Sequence, residues 1–150
     1  MIKTPRFWNQ EKSIFSFFLL PLSILYYLFY NLYLKIKTEV SVDVPVICIG
    51  NAVIGGSGKT PIAIKLRKIL SPKFKKIFVL TKGYKGYRKG PIIVNKNYDF
   101  HEVGDESIIH SLRGPTCMSK NRKNGAFFCK KEKSDLILMD DGLQSKNIRK

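Results

Sequence analysis

The chain begins with an apolar pattern that differs from the rest of the sequence. From Ser13 to Leu34 it carries no charge and reads SIFSFFLLPLSILYYLFYNLYL. As a helix rising about 1.5 Å per residue, this run extends roughly 33 Å, near the ~30 Å hydrocarbon core of a bilayer. Pro21 in its middle favours a bend, so a straight span and a bent, shallow insertion both stay open. Its tyrosines at helical spacing resemble an interfacial aromatic belt: Tyr26, Tyr30 and Tyr33. We expect residues 1–37 to form a membrane-anchoring helix, with a buried core helix or a cleaved signal peptide as the alternatives.

Beyond this segment, short apolar runs alternate with helical stretches. VPVICIG at 44–50 is rich in β-branched residues and predicts a buried parallel strand. IAIKLRKIL follows at 62–70, where Ile62, Leu66 and Ile69 fall on one helical stripe. Further strands are predicted at 76–80, 91–94, 115–118 and 136–139, and further helices at 105–112 and 126–130. Residues 38–150 are therefore expected to form an α/β domain, a mostly parallel sheet flanked by helices.

A glycine-rich loop joins the first of these strands to its helix. It reads NAVIGGSGKTP, residues 51–61. In this context successive backbone amides can turn toward a polyphosphate at the start of a helix, the lysine can reach the β and γ phosphates, and the threonine hydroxyl can ligate Mg²⁺. The strict pattern has glycine where this chain has Val53, and an ordinary glycine turn with a solvated lysine is the alternative. The predicted nucleotide-binding residues are Gly55, Gly56, Ser57, Gly58, Lys59 and Thr60.

A second apolar strand, LILM at 136–139, ends in Asp140, Asp141 and Gly142. An aspartate at the carboxyl end of a parallel strand can lie beside the loop threonine and its Mg²⁺, as in the Walker B arrangement. Successive strand residues point to opposite faces, so both aspartates can ligate one ion only if the strand has already ended. We expect one of them to hold metal and the other to orient water or a loop. A plain strand end followed by a turn is the alternative.

Charge adds a partner to this picture. The 27 basic and 11 acidic residues give a net charge of +16, and residues 51–100 alone carry twelve basic and one acidic residue, or +11. A hydrophobic fraction of 44% excludes a disordered basic tail. A nucleic-acid binder would leave the apolar N-terminal run and the glycine loop unexplained, so we expect an anionic membrane surface and no nucleic acid. Three widely spaced cysteines without a CxxC pair encode neither a disulfide framework nor a zinc site.

Four blocks, in this order, resemble the tetraacyldisaccharide 4'-kinases of lipid A biosynthesis. They are GNAVIGGSGKTP at 50–61, TKGYKGYRKGP at 81–91, VGDES at 103–107 and DDGLQ at 140–144. The family's own loop also lacks the strict first glycine, so Val53 fits the resemblance. The resemblance implies a P-loop NTPase-like kinase that uses ATP and Mg²⁺. Its expected reaction is transfer of the γ-phosphate to the 4'-hydroxyl of an acylated glucosamine disaccharide 1-phosphate, at the cytoplasmic face of the inner membrane.

The matching blocks also imply roles for individual residues. Asp105 matches the family's acidic residue near the acceptor hydroxyl and is implied to be the catalytic base, acting with Lys59; a helix N-cap is the alternative for Asp105. Basic and aromatic residues of the second block, with a recurrent arginine, are grouped as the substrate-binding set: Lys82, Tyr84, Arg88 and Arg122. A solvated basic loop is the alternative for that block. His101 and His110 match nothing in the family, and we expect both at the surface.

Length separates this chain from the family it resembles. Family members are roughly twice as long, and the sequence given stops at Lys150, just after the predicted Asp140 strand. We therefore expect an incomplete domain without its C-terminal half, which is implied to supply the other wall of the cleft. Ser145 also stands where the family usually has histidine. The rival hypothesis is an inactive or purely nucleotide-binding remnant at the membrane.

Overall fold

The computed structural model describes residues 14–36, 39–50, 58–143, 145 and 148–149. The chain divides into two compact units, Met1–Thr38 and Glu39–Lys150. Gly55, Gly56 and Ser57, three of the predicted nucleotide-binding residues, lie outside the described part.

The described residues of the first unit form the helix α1, Ile14–Ile36. The helix continues through Pro21, and most of its described side chains are exposed. The rings of Tyr26 and Tyr30 stack with their centroids 6.0 Å apart, as expected for residues four apart on a helix. Among the residues described, no helix combines the length and the apolar character needed to cross a bilayer.

The second unit confirms the predicted α/β class. In chain order its elements are β1 (Val46–Ile49), α2 (Lys59–Leu70), β2 (Ile77–Thr81), β3 (Ile92–Ile93), α3 (Phe100–Val103), α4 (Asp105–Ser111), β4 (Thr116–Met118), α5 (Arg122–Lys131) and β5 (Leu136–Asp140). The strands form one sheet in the order β1-β5-β2-β4-β3. All its pairings are parallel except that of β3 with β4. Every strand predicted from the sequence is present, α5 begins four residues before its predicted start, and α3 was not predicted.

The strand order places the two chemical motifs side by side. β5 lies between β1 and β2, and Ile49 at the end of β1 is in register with Asp140 at the end of β5. Because the strands are parallel, the segments after them leave from the same edge of the sheet. Gly50, directly after β1, and the aspartates at the end of β5 therefore lie at this edge.

Helices cover both faces of the sheet. On one face, Phe78 and Ile137 pack with Ala126 and Cys129 of α5. On the other face, alternate residues of β2 and β5 pack against Leu66 and other apolar residues of α2. Strand residues alternate between the faces, so sheets covered on both sides need near-continuous apolar strands, which β2 and β5 supply.

The buried side of α2 differs from the predicted stripe. Ile62 and Ile69 are 54% and 62% exposed, whereas Ala63 and Arg67 are buried. The Arg67 guanidinium donates hydrogen bonds to the carbonyls of His110, Ile77 and Pro115. A buried face predicted from apolar residues alone omits a long cationic side chain such as Arg67. Its aliphatic stem can pack in the core while its guanidinium hydrogen-bonds to backbone carbonyls. The prediction for Ile62 and Ile69 was therefore wrong.

Candidate active site

Lys59 and Thr60 are the first two residues of α2, directly after the glycine loop. Gly58 occupies the N-cap position with φ of 71°, a left-handed conformation that glycine adopts at little cost. The side chain of Lys59 is 21% exposed, and its Nζ lies 3.1 Å from Oδ1 of Asp141. The lysine of the loop and an aspartate of the second motif are thus in direct contact.

Asp140 and Asp141 differ sharply in environment. Asp140 is the last residue of β5 and is 2% exposed, whereas Asp141 has φ of 52° and a side chain that is 62% exposed. The left-handed conformation of Asp141 ends the strand, so the alternation that would turn the two carboxylates apart no longer applies. Both can therefore face the edge of the sheet where Lys59 lies.

The buried Asp140 carboxylate is bonded to His110. Nε2 of His110 lies 2.8 Å from Oδ2 of Asp140, and the side chains are 0% and 1% exposed. The prediction of a surface position for His110 was wrong, because α4 buries Ser107 and His110 while Ile109 is 45% exposed. Ser107 and His110 are three residues apart and therefore share one face of the helix, which was the available signal for their burial. A search for apolar residues on one face does not detect it.

Other charges gather around the same point. Hydrogen bonding to Asp141 raises the pKa of Lys59, and the charges of Asp141, Asp140 and Glu106 act in the same direction. Partial burial raises the pKa of Glu106, and the negative charges of Asp140, Asp105 and Asp141 raise it further. Both shifts follow from the closeness of Lys59 and these carboxylates at one point of the site. Glu106 is evident in the sequence as a second carboxylate beside Asp105, but it was not among the predicted site residues.

The oxygen atoms at this point fit a hard divalent cation. Oδ1 of Asp140 is buried and has no hydrogen-bond partner within the described part of the chain. Within that part, no group of three or more His, Cys, Asp or Glu side chains is arranged to hold a metal ion. Mg²⁺ is usually held by only one or two carboxylates, completed by phosphate oxygens and water, so this donor set is compatible with it. Thr60, Asp140 and Asp141 are the residues that would hold such an ion.

Asp105 begins α4 at the exposed side of the site. Its Oδ1 accepts a 2.9 Å hydrogen bond from the backbone N–H of Glu106. The N-cap position of α4 belongs to Gly104, so the capping alternative for Asp105 was wrong; the capping box of this region lies one helix earlier, between Asp99 and Glu102. The Asp105 carboxylate is exposed at the start of α4, with Oδ1 bonded to an amide of the first helical turn.

The basic loop of the second sequence block packs against the start of α4. A Cβ at Gly104 would stand 2.5 Å from the carbonyl oxygen of Tyr84, so this close approach requires glycine. Lys82 and Tyr84 are exposed, and no carboxylate partners Lys82 among the described residues. Arg88 is already paired, since its Nη2 lies 2.8 Å from Oε1 of Glu102. The loop therefore exposes the positive charge of Lys82, and its backbone at Tyr84 lies against Gly104, the residue before Asp105.

Arg122 has a different place from the one predicted. It is 6% exposed, and its guanidinium donates to the carbonyls of Leu80, Asp140 and Asp141 at 2.6, 2.6 and 3.2 Å. Burial lowers its pKa, and the charges of Asp140 and Asp141 partly oppose this effect. Arg122 was grouped with the substrate-binding residues, but the structure places it beneath the site as a brace between β2 and the end of β5. A recurrent arginine can be retained for packing as well as for binding.

Comparison with known proteins supports the resemblance stated from the sequence. Residues 15–150 match the family described as Tetraacyldisaccharide-1-P 4'-kinase, LpxK. The tetraacyldisaccharide 4'-kinase of Bartonella tribocorum is 39% identical over 148 residues, which are 98% of this chain and 42% of that protein. The one from Rhodopseudomonas palustris strain HaA2 is 37% identical over 145 residues, 96% of this chain and 43% of that protein.

A solved structure adds the same likeness in three dimensions. LpxK from Aquifex aeolicus, crystallised in complex with ATP, has a TM-score of 0.73 and 30% sequence identity, and the match covers 88% of this chain and 45% of that one. The chain thus spans less than half the length of these relatives. The order of its sequence motifs and the likeness of its sheet agree with the family match over residues 15–150. The chain therefore belongs to the tetraacyldisaccharide 4'-kinase family.

Proposed function

We propose that this chain binds MgATP and takes part in transfer of the γ-phosphate to the 4'-hydroxyl of an acylated glucosamine disaccharide 1-phosphate, a lipid A precursor. The observation that carries the proposal is the 3.1 Å contact between Lys59 and Asp141 beside the buried Asp140. It joins a phosphate-binding lysine to metal-binding carboxylates at one edge of a parallel sheet. That edge is where open α/β sheets bind nucleotides.

Each residue at this edge has a part in such a transfer. Lys59 exchanges Asp141 for the β and γ phosphates and neutralises their charge, while amides at the start of α2 hold the phosphate oxygens. Thr60, Asp140 and Asp141 would hold Mg²⁺, which would offset the charge on the phosphates. Asp105 accepts the proton of the 4'-hydroxyl while the hydroxyl oxygen forms a bond to the γ-phosphorus. The bond from that phosphorus to the bridging oxygen breaks, and ADP leaves.

The glycolipid and the membrane occupy the exposed side of the site in this proposal. Lys82 and Tyr84 bind the anionic glycolipid head, and Arg88 joins them by leaving Glu102 for a phosphate, where its fork can make two hydrogen bonds. The apolar helix α1 and the basic middle segment keep the chain on the anionic leaflet at the cytoplasmic face of the inner membrane.

A second candidate function is nucleotide binding without phosphoryl transfer. Lys59 contacts Asp141 beside the buried Asp140, whereas the described hydrogen bond of Asp105 is to the backbone of its own helix. This candidate keeps the roles of Lys59 and Asp140 and removes that of Asp105.

A kinase assay on purified chain in detergent separates the two candidates. With ATP, Mg²⁺ and the acylated disaccharide 1-phosphate, we expect turnover in the wild type. The turnover rate should fall at least about 100-fold in Lys59→Ala and in Asp105→Ala. The control, Lys131→Ala on the exposed side of α5, should turn over as the wild type does. Calorimetry should show MgATP binding in Asp105→Ala. Wild-type binding without turnover supports the second candidate, and absence of wild-type binding contradicts both.

A further inference from the structure

Asp140 has a metal-binding role in the reaction proposed above, but the hydrogen bond that joins it to His110 has no assigned purpose there. His110 lies in the last turn of α4 and Asp140 at the end of β5, and both side chains are inaccessible to solvent. Apart from the 2.8 Å bond between Nε2 and Oδ2, neither side chain has a hydrogen bond to another described residue, and both Nδ1 and Oδ1 are left without a partner.

A buried carboxylate with one bonded oxygen is costly unless its other oxygen is also used. Transfer of an unpaired charged or polar group to the interior costs several kcal/mol, so such groups are normally paired or bound to a metal ion. Arg122 is close, but it donates to the backbone carbonyl of Asp140 and leaves the carboxylate alone. Within the described part of the chain, His110 alone fixes the rotation of this carboxylate.

The hydrogen bond divides the two carboxylate oxygens into different roles. Because an ionised carboxylate only accepts, Nε2–H of His110 is the donor and Oδ2 the acceptor. Oδ1 remains with its lone pairs unused. An apolar residue at position 110 would fill the same volume and leave the carboxylate free to rotate, with both oxygens unbonded.

We propose that His110 is a positioning residue for the metal site: it holds Oδ2 of Asp140 so that Oδ1 is the oxygen offered to Mg²⁺. This inference rests on the proposed function, which has Mg²⁺ at Asp140. Hydrogen bonds to metal-binding carboxylates orient the ligand before the ion arrives, and their loss typically weakens metal binding about 10- to 100-fold. His110 thus lowers the cost of ordering Asp140 on metal binding.

Metal-dependent nucleotide affinity tests the role of His110. The probe is Mn²⁺ with ATP, measured by calorimetry against ATP alone. We expect His110→Phe, which keeps a ring and loses the donor, to weaken MnATP binding about 10- to 100-fold while affinity for metal-free ATP is unchanged. His110→Gln keeps an N–H at similar reach and should restore most of the loss. His101→Phe, at the exposed second histidine, is the matched control and should bind as wild type.

The outcomes separate this inference from the proposed function. If the wild type does not bind MnATP, the proposed function fails. If the wild type binds and folded His110→Phe binds equally well, the positioning role is overturned and the ring only fills space.

A measurement on the wild type avoids any folding defect of the variants. With ¹⁵N-labelled histidine and saturating ATP, adding Mg²⁺ should shift the imidazole nitrogen signals of His110 and leave those of His101 in place. Unmoved His110 signals, with MgATP binding confirmed by calorimetry, would overturn the role.

Discussion

Two buried arginines, Arg67 and Arg122, donate to strand carbonyls at opposite ends of the sheet. Arg67 donates to the carbonyl of Ile77, the first residue of β2, and to that of Pro115, just before β4. Burial lowers the pKa of Arg67 to about 10. Arg122 reaches the carbonyls of Leu80 and Asp140 near the carboxyl ends of β2 and β5. Each guanidinium donates to several backbone carbonyls at once, and at Pro115 that of Arg67 is a second donor beside the backbone N–H of Val79. A lysine cannot do this from one position because it lacks the planar fork.

Replacing Arg122 tests whether it braces the sheet or binds substrate. Arg122→Met keeps the stem and leaves the carbonyls of Leu80, Asp140 and Asp141 without their donor, so we expect it to lower the free energy of unfolding by about 3 kcal/mol. Urea denaturation measures the change, with Lys123→Met on the exposed side of α5 as the control. Unchanged stability combined with weaker glycolipid binding would favour the substrate role predicted from the sequence.

At the scale of elements, apolar runs predicted the strands well because a sheet covered on both faces leaves each strand little choice of composition. β2 and β5 are buried at every position, and their runs were located to within one residue. Helices were harder, since α2 buries Arg67 and α4 buries His110, and tertiary contacts decide which side of a short helix faces inward. The four-residue α3 escaped prediction because its signal is a capping box rather than a periodic pattern.

The corner between α3 and α4 sets the distance from the basic loop to Asp105. Gly104 has φ of 83°, and an added Cβ would meet the backbone oxygen of Tyr84 at 2.5 Å. Gly104→Ala therefore combines backbone strain with a clash, and we expect it to lower the free energy of unfolding by about 2 kcal/mol or more and to displace the loop. Thermal unfolding and amide hydrogen exchange of residues 82–90 provide the measurements. Ile109→Ala on the exposed side of α4 is the control, and normal stability with normal loop protection in Gly104→Ala would contradict the close packing.

At the scale of the whole molecule, the elements around the proposed nucleotide site come from the part of the family that this chain spans. β1, α2 and β5 bring Lys59 to Asp141, and α4 adds Asp105 and His110. In the proposed function, nucleotide binding depends on the first three elements, whereas phosphoryl transfer also requires the acceptor to reach Asp105. Binding and turnover can therefore fail separately.

The uneven charge of the chain gives the last prediction. Residues 51–100 hold a net charge of +11, and three lysines of the basic loop, Lys82, Lys85 and Lys89, are exposed. Each basic residue held near an anionic leaflet contributes about 1 kcal/mol, so changing all three to Gln should weaken binding to vesicles containing phosphatidylglycerol roughly 100-fold. The control variant changes Lys123, Lys131 and Lys133 to Gln; these lysines are also exposed, and their replacement removes the same charge.

Vesicle co-sedimentation at two salt concentrations distinguishes a local surface from net charge. We expect the loop variant to lose most of the salt-sensitive binding, because screening acts on exposed charges that face the leaflet, and the control to lose much less. Equal losses in both variants would mean that the overall charge of +16 attracts the chain without a preferred face. If neither variant changes vesicle binding and salt has no effect, the chain attaches to the membrane through apolar contacts. The basic loop would then serve only to bind the glycolipid.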